Sequence, residues 1–179
     1  FAPHFVGLDA GWTALTRALD RPFATIYAKQ SRPQLDAWVH AGRSRFGSPK
    51  LLPRQQLGRS VLQVMRQDAA LYLLPDMDLG ARDAVFVPFF GVQAATVTTL
   101  SRVAAIGHCA VAPVTTRLTS KGYEVTIHPA WVDYPTADPT ADAAYMNAKL
   151  QAFVDTMPDQ YYWVHKRFKT RPPGERPIY

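Results

Sequence analysis

Short apolar runs alternate with helix-like segments along this chain of 179 residues. The runs are rich in β-branched and aromatic residues, which is typical of strands. They are FATIYA (23–28), AALYLLP (69–75), AVFVPFF (84–90), CAVAPVTT (109–116) and GYEVTIHPAW (122–131). Strands separated by helices predict an α/β domain with a mainly parallel sheet. A run as continuously apolar as ALYLL is typical of a sheet that helices cover on both faces.

Apolar residues recur at helical spacing in the segments between these runs. The segments are 33–46, 57–65, 96–106 and 139–157, and GWTALTRALD (11–20) predicts a further helix. Pro33 and Pro139 suit the first turn of a helix, and Pro158 ends the last segment. We find no internal repeat and no linker, so residues 1–179 are predicted to form one domain, with RPPGERPIY lacking regular structure.

The composition fits one soluble domain, because 47% of the residues are hydrophobic and 19% are charged. The net charge of +6 suits an anionic partner, which could be nucleic acid, a phosphorylated ligand, an anionic membrane surface or an acidic carrier protein. The single Cys109 cannot form an internal disulfide. No run of about eighteen apolar residues occurs, so no segment is predicted to span a bilayer.

An H-x4-D spacing occurs twice, as His4 with Asp9 and as His128 with Asp133. The second pair lies at the end of a predicted strand, in the segment HPAWVDYP with its two prolines, where a structural role is favoured. The first pair lies in a turn that leads into a predicted helix. In such a turn the carboxylate can accept a hydrogen bond from one imidazole nitrogen, which leaves the other nitrogen free to take a proton.

PDMDLG (75–80) directly follows the apolar run ALYLL. Ligands bind beyond the carboxyl ends of strands in open parallel sheets, so Asp76 and Asp78 are candidate site residues. Two close carboxylates can hold a metal, orient a hydroxyl or pair with an Arg. They can equally satisfy the backbone of their own turn.

QYYWVHKRFKTR (160–171) interleaves aromatic and basic residues. Such mixtures occur in proteins that stack bases and neutralise phosphates. The alternative is a last element whose aromatic side chains enter the core while its basic residues lie on a solvated face. Those basic residues are Lys166, Arg167, Lys169 and Arg171.

Taken together, these segments resemble the lipid A biosynthesis acyltransferases of Gram-negative bacteria, the lauroyl/myristoyl acyltransferase family. The resemblance covers nearly the whole chain, through HFVGLD, YAKQSRPQLDAWVHAGRSR, LYLLPDMDLGARDAVFVPFFGVQAAT and MPDQYYWVHKRFKTRPPGERPIY. It implies a glycerolphosphate-acyltransferase-like α/β fold with its N-terminal part missing. The membrane anchor and the start of the fold are expected upstream of Phe1, so the isolated chain is expected to fold poorly or to be inactive.

The resemblance implies an activity and its partners. An acyl chain would pass from acyl carrier protein to a hydroxyl of a Kdo-bearing lipid A precursor, at the cytoplasmic face of the inner membrane. No cofactor and no nucleic acid are implied, and we assign no metal because nothing in the sequence demands one. A basic, aromatic nucleic-acid-binding module and a noncatalytic membrane-surface lipid-binding domain stay open as alternatives.

The resemblance also implies roles for individual residues. His4 would be the general base, and Asp9 would hold its imidazole tautomer. Arg43 would grip a substrate phosphate, with Arg45 as second choice. Asp76 and Asp78 would orient the acceptor or fix the architecture. The basic residues after position 165 would meet the glycolipid headgroup, the carrier protein or the inner leaflet; they are Lys166, Arg167, Lys169 and Arg171.

Overall fold

The structure is a computed structural model that describes residues 1–54 and 57–179. The chain divides into two units. The larger unit contains Phe1–Leu8 and Leu74–Tyr179, and the smaller unit contains Asp9–Leu73. The assignment of residues 1–179 to one domain stays a prediction.

The smaller unit contains a parallel sheet of three strands in the order β2-β1-β3. Its elements are α1 (Leu8–Ala18), β1 (Phe23–Tyr27), α2 (Pro33–Ser44), β2 (Lys50–Pro53), α3 (Leu57–Met65) and β3 (Ala70–Tyr72). The register pairs Ala24 of β1 with Lys50 of β2 and with Leu71 of β3. The buried indole of Trp12 on α1 packs edge-on against the ring of Tyr72, with 5.5 Å between ring centroids.

The larger unit contains two antiparallel hairpins and two helices. Its elements are β4 (Ala84–Phe89), β5 (Val92–Val97), α4 (Thr99–Gly107), β6 (Val114–Thr119), β7 (Gly122–Ile127) and α5 (Pro139–Thr156). Phe90 and Gly91 connect β4 to β5 with positive φ angles of 49° and 74°, which a two-residue hairpin turn requires. Asp138 caps α5 by accepting a hydrogen bond from the Thr140 backbone N–H at 2.8 Å.

Helix α5 packs its apolar stripe against β4. The buried side chains of the stripe are Met146, Leu150 and Val154, which recur at the predicted helical spacing. Asn147 is also fully buried among them, and its amide N–H donates to the Thr96 hydroxyl of β5 at 3.0 Å. That hydrogen bond satisfies a polar group that burial would otherwise leave unpaired.

The structure confirms the α/β class and the parallel sheet flanked by helices. It also contains elements that the sequence pattern did not predict. Residues 92–97 form β5, so the third helix begins at Thr99 and not at Thr96. The strand predicted over 109–116 begins only at Val114. No helix among residues 1–54 and 57–179 is both long and apolar enough to cross a membrane.

Candidate active site

His4 is held by Asp76, a residue 72 positions away in the sequence. Oδ1 of Asp76 lies 2.7 Å from His4 Nδ1, and Oδ2 accepts a hydrogen bond from the His4 backbone N–H at 2.9 Å. The Asp76 side chain is buried, whereas 13% of the His4 side chain is exposed. The carboxylate therefore fixes both the backbone and the ring of His4, while a small part of the His4 side chain stays exposed.

Two opposing effects set the charge of Asp76. Burial by itself raises the pKa of the carboxyl, but the positive charge of the His4 imidazolium and the two hydrogen bonds from His4 bring the pKa below its usual value. Asp76 is therefore an anion that only accepts hydrogen bonds, so the proton of the neutral imidazole lies on Nδ1. His4 Nε2 is left as a basic atom, and it has no hydrogen-bond partner among the described residues.

Tyr161 is the next group in contact with this pair. Its backbone pairs with Phe5 in an antiparallel bridge, and the Tyr162 backbone N–H donates to the His4 carbonyl at 2.9 Å. Burial raises the pKa of the Tyr161 hydroxyl, and the negative charge of Asp76 raises it further. The hydroxyl is therefore a neutral donor beside the carboxylate.

Arg167 is buried inside the larger unit, with 1% of its surface exposed. Its guanidinium donates to the Ala95 carbonyl at 2.7 Å and to the Thr96 hydroxyl at 2.8 Å, and it lies 5.4 Å from the Phe89 ring centroid. Its positive charge lowers the pKa of Tyr161 and so opposes the effect of Asp76. The prediction that Arg167 meets a headgroup is wrong, because its side chain lies inside the larger unit.

The ring of His165 lies 4.7 Å from that of His4 at a steep interplanar angle of 64°. Burial lowers the pKa of His165, and the neighbouring charge of His4 lowers it further. His165 is not among the site residues predicted from the sequence. The signal was present as the histidine of WVHKRF, but the spacing did not indicate that the bridge between Phe5 and Tyr161 brings this segment to His4.

Asp9 has a different partner from the one expected. Its Oδ1 accepts a hydrogen bond from Arg43 Nε at 2.8 Å, and the Arg43 carbonyl accepts another from the indole N–H of Trp12 at 2.8 Å. The expectation that Asp9 occupies Nδ1 of His4 is therefore corrected, since Asp76 is the carboxylate there. A catalytic role for Asp9 and phosphate binding by Arg43 stay predictions.

Asp78 has structural contacts within the larger unit, while its role in the site stays a prediction. Its carboxylate is buried and accepts hydrogen bonds from the Thr170 backbone N–H at 2.7 Å and from the Gly80 backbone N–H at 2.9 Å. The carboxylate therefore ties the segment after the strand-like run to the C-terminal segment. Asp78 and Asp76 thus perform separate tasks, although only one residue lies between them.

The other predicted residues have simpler surroundings. Arg45 lies over the ring of Phe46 at 5.2 Å. Lys166 and Lys169 are exposed, while Arg171 forms an ion pair with Glu175. Their substrate-binding roles stay predictions. No group of three or more His, Cys, Asp or Glu residues in the described part of the chain could hold a metal ion.

The second H-x4-D pair has surroundings that fit a structural role. His128 Nε2 lies 2.9 Å from the Thr115 hydroxyl across the β6–β7 hairpin, and its ring lies 4.7 Å from that of Phe153. Burial lowers the pKa of His128. Its Nε2 is thus occupied, in contrast to that of His4.

The described residues of this α/β protein thus include a histidine whose Nδ1 is backed by a buried carboxylate and whose Nε2 has no described hydrogen-bond partner, an arrangement that general bases also use. The comparisons with known proteins then identify the family. Residues 1–170 match the family described as bacterial lipid A biosynthesis acyltransferase. The chain belongs to that family, which confirms the resemblance seen in the sequence.

Several relatives have activities in their names. The lipid A biosynthesis palmitoleoyltransferase of Escherichia coli (strain K12) is 33% identical over 180 residues, which cover 98% of this chain and 57% of the relative. The lauroyltransferase of the same organism is 33% identical over 96% of this chain and 56% of the relative. A lipid A biosynthesis acyltransferase of Haemophilus influenzae is 34% identical over 97% of this chain and 54% of the relative. The chain thus spans little more than half the length of these relatives.

Proposed function

We propose that the protein transfers a fatty acyl chain from acyl carrier protein to a hydroxyl of a Kdo-bearing lipid A precursor, with His4 as general base. Membership of the family supports the reaction type. The observation that carries the assignment of the base is the 2.7 Å contact between His4 Nδ1 and Asp76 Oδ1, because it leaves Nε2 basic.

The reaction requires one proton to move twice. Nε2 of His4 takes the proton of the acceptor hydroxyl while that oxygen attacks the carbonyl carbon of the thioester. A tetrahedral oxyanion forms, and its collapse breaks the carbon–sulfur bond. The carrier thiolate leaves and takes the proton back from Nε2. A general base of this kind accelerates a reaction typically by about 10²–10⁴-fold.

Asp76 and His165 both bear on the protonated state of His4. When His4 becomes an imidazolium, the buried carboxylate of Asp76 balances the new charge at a hydrogen-bonded distance of 2.7 Å. The lowered pKa of His165 keeps the second ring neutral, so no like charge stands 4.7 Å away. The pair of rings therefore carries one positive charge during the proton transfer.

The proposed substrates are both anionic. Acyl carrier protein is acidic and a lipid A precursor carries phosphates, so each is attracted by a protein with a net charge of +6. We place the reaction at the cytoplasmic face of the inner membrane, where these two substrates would meet. The acceptor hydroxyl and the acyl chain length are not part of the proposal.

Single turnover of a radiolabelled acyl carrier thioester with a lipid A precursor tests the proposal, in the protein extended to the length of its relatives. His4→Ala should lower the rate at least about 100-fold. His128→Gln is the matched control, because it removes the other H-x4-D histidine and keeps a hydrogen-bonding group near Thr115; its rate should stay near that of the parent. Near-normal turnover by His4→Ala would contradict the assignment.

A further inference from the structure

Helix α2 contacts the rest of the smaller unit through its polar side. Asp36 accepts hydrogen bonds from the Tyr27 hydroxyl of β1 and, at 2.8 Å, from the Gln30 backbone N–H. The His40 ring lies 6.0 Å from the Tyr27 ring, and Arg43 donates to Asp9 of α1. Asp36, His40 and Arg43 recur every three or four residues and therefore share one side of the helix. This is the side that usually faces solvent on a helix of a soluble protein.

Two large apolar side chains of α2 are left uncovered. Trp38 is 75% exposed and Leu35 is 43% exposed, and the two lie three residues apart on one face. No residue of the helix is buried. Exposed single apolar residues are ordinary, but here the Leu35 and Trp38 side chains are both exposed on one helix while its polar Asp36 and Arg43 contact the rest of the smaller unit. This arrangement leaves an apolar surface that another apolar phase can cover.

The charge of the smaller unit indicates what that phase is. Residues 9–73 contain ten Lys and Arg but only four Asp and no Glu, whereas the rest of the chain contains ten basic and ten acidic residues. The entire net charge of +6 therefore belongs to the smaller unit. Lys29 and Arg32, which directly precede α2, are exposed and form no salt bridge with a described residue.

We propose that α2 docks on the surface of an anionic phospholipid bilayer. Trp38 and Leu35 would enter the boundary between headgroups and acyl chains, where an indole is favoured because it is apolar with one polar N–H. Lys29 and Arg32 would contact the anionic headgroups, which attract basic residues near the surface. These four residues form the docking face. The inference depends on the helix and its charge, and it holds whether or not His4 is the general base.

A bilayer fits the docking face better than an acidic protein does. Protein partners cover apolar side chains with a shaped surface, which usually presents several partly buried anchors. The docking face has one ring and one aliphatic side chain, both projecting from a helix with no buried residue. Such a helix, with basic residues beside exposed Trp and Leu, is typical of elements that lie in the plane of a membrane interface.

Co-sedimentation with vesicles tests the proposal. The protein should bind vesicles made of equal parts of phosphatidylglycerol and phosphatidylcholine, and should bind vesicles of phosphatidylcholine alone much more weakly. Leu35→Ser with Trp38→Ser should weaken binding at least about tenfold. Lys29→Gln with Arg32→Gln should weaken it by a similar factor, and only at low ionic strength.

The matched control is Ile106→Ser, which removes a 60% exposed apolar side chain from α4 in the electroneutral larger unit. It should bind as the parent does. Quenching of tryptophan fluorescence by brominated phospholipid gives a second measurement that does not depend on loss of binding. Trp38→Phe should still bind, but should lose most of the quenching.

Three results would overturn the proposal. The first is vesicle binding that is equal in the parent and in the Leu35→Ser, Trp38→Ser variant. The second is quenching that survives Trp38→Phe. The third is an acidic carrier protein, or a second copy of this chain, whose binding requires Trp38 while the vesicles stay unbound; that result would assign the docking face to a protein. Because none of these assays measures acyl transfer, their failure is distinct from failure of the proposed reaction.

Discussion

The Nδ1 atom of His4 lies 2.7 Å from Oδ1 of Asp76, and the same carboxylate accepts the backbone N–H of His4 through its other oxygen. Both oxygens of one buried side chain therefore hold one histidine. The Asp of the H-x4-D spacing has another task, since Asp9 pairs with Arg43. The H-x4-D spacing thus contains the histidine of this pair, while the carboxylate that contacts it comes from PDMDLG.

Replacement of Asp76 by Asn should lower the rate of acyl transfer by about 10²–10⁴-fold, which is the contribution of a general base. The amide N–H₂ would donate towards Nδ1 and so favour the tautomer whose proton lies on Nε2. Single-turnover kinetics at saturating substrate measure the loss, with circular dichroism as the check on folding. A rate within threefold (roughly 0.7 kcal/mol) of the parent would be incompatible with the role of Asp76.

Replacement of Asp9 by Asn should change the free energy of unfolding by less than about 1 kcal/mol. The Asp9 side chain is 64% exposed, and ion pairs with so exposed a partner contribute about 0–1 kcal/mol. Urea unfolding measures this difference. In the kinetic assay the loss should be well below that of Asp76→Asn. Equal losses of rate in the two variants would mean that Asp9, and not only Asp76, supports His4.

Most of the fold follows from periodicity, because periodicity records which side chains are buried. The stripe Met146, Leu150 and Val154 predicted α5, and Phe23–Tyr27 is a strand as its apolar run indicates. Periodicity gave no signal for β5. Its residues VQAATV include small side chains that suit a helix as well as a strand, and the turn at Phe90 and Gly91 decides between the two.

The site was less predictable than the fold, because its contacts are long-range. Nothing local in PDMDLG indicates that Asp76 reaches back 72 residues to His4 whereas Asp78 reaches forward 92 residues to Thr170. The predicted exposure of the Arg167 side chain was wrong for a related reason. Four basic residues in six positions indicate a solvated face, but the left-handed backbone at Lys166, with φ of 50°, interrupts any regular periodicity there.

The free energy of unfolding should fall as the pH falls through the titration range of the histidines. The pKa values of His165 and His128 are lowered in the folded state, so the unfolded chain binds more protons in this range. Their contribution to stability is complete above about pH 6.5 and is lost as the pH falls through the lowered values. Urea titrations at a series of pH values measure this slope.

The variant His165→Gln isolates one of these two groups. Because Gln does not titrate, the slope of stability against pH should become shallower in the variant than in the parent. The residual slope should come from His128, and it should fall further in His128→Gln combined with His165→Gln. An unchanged slope in the single variant would mean that the ring beside His4 titrates as freely in the folded protein as in the unfolded chain.

Replacement of Arg167 by Met should destabilise the larger unit by at least about 3 kcal/mol, because hydrogen bonds to a charged group contribute about 1.5–3 kcal/mol each. The variant leaves the Ala95 carbonyl and the Thr96 hydroxyl without this donor inside the core. Lys169→Ala is the matched control, since it removes a positive charge from the same segment at an exposed position; its effect should stay within about 0.5 kcal/mol. Urea unfolding of both variants measures the two changes in the free energy of unfolding. Equal, small effects on the free energy of unfolding would place the Arg167 side chain on a solvated surface. Its hydrogen bonds to β5 would then contribute nothing to the stability of the larger unit.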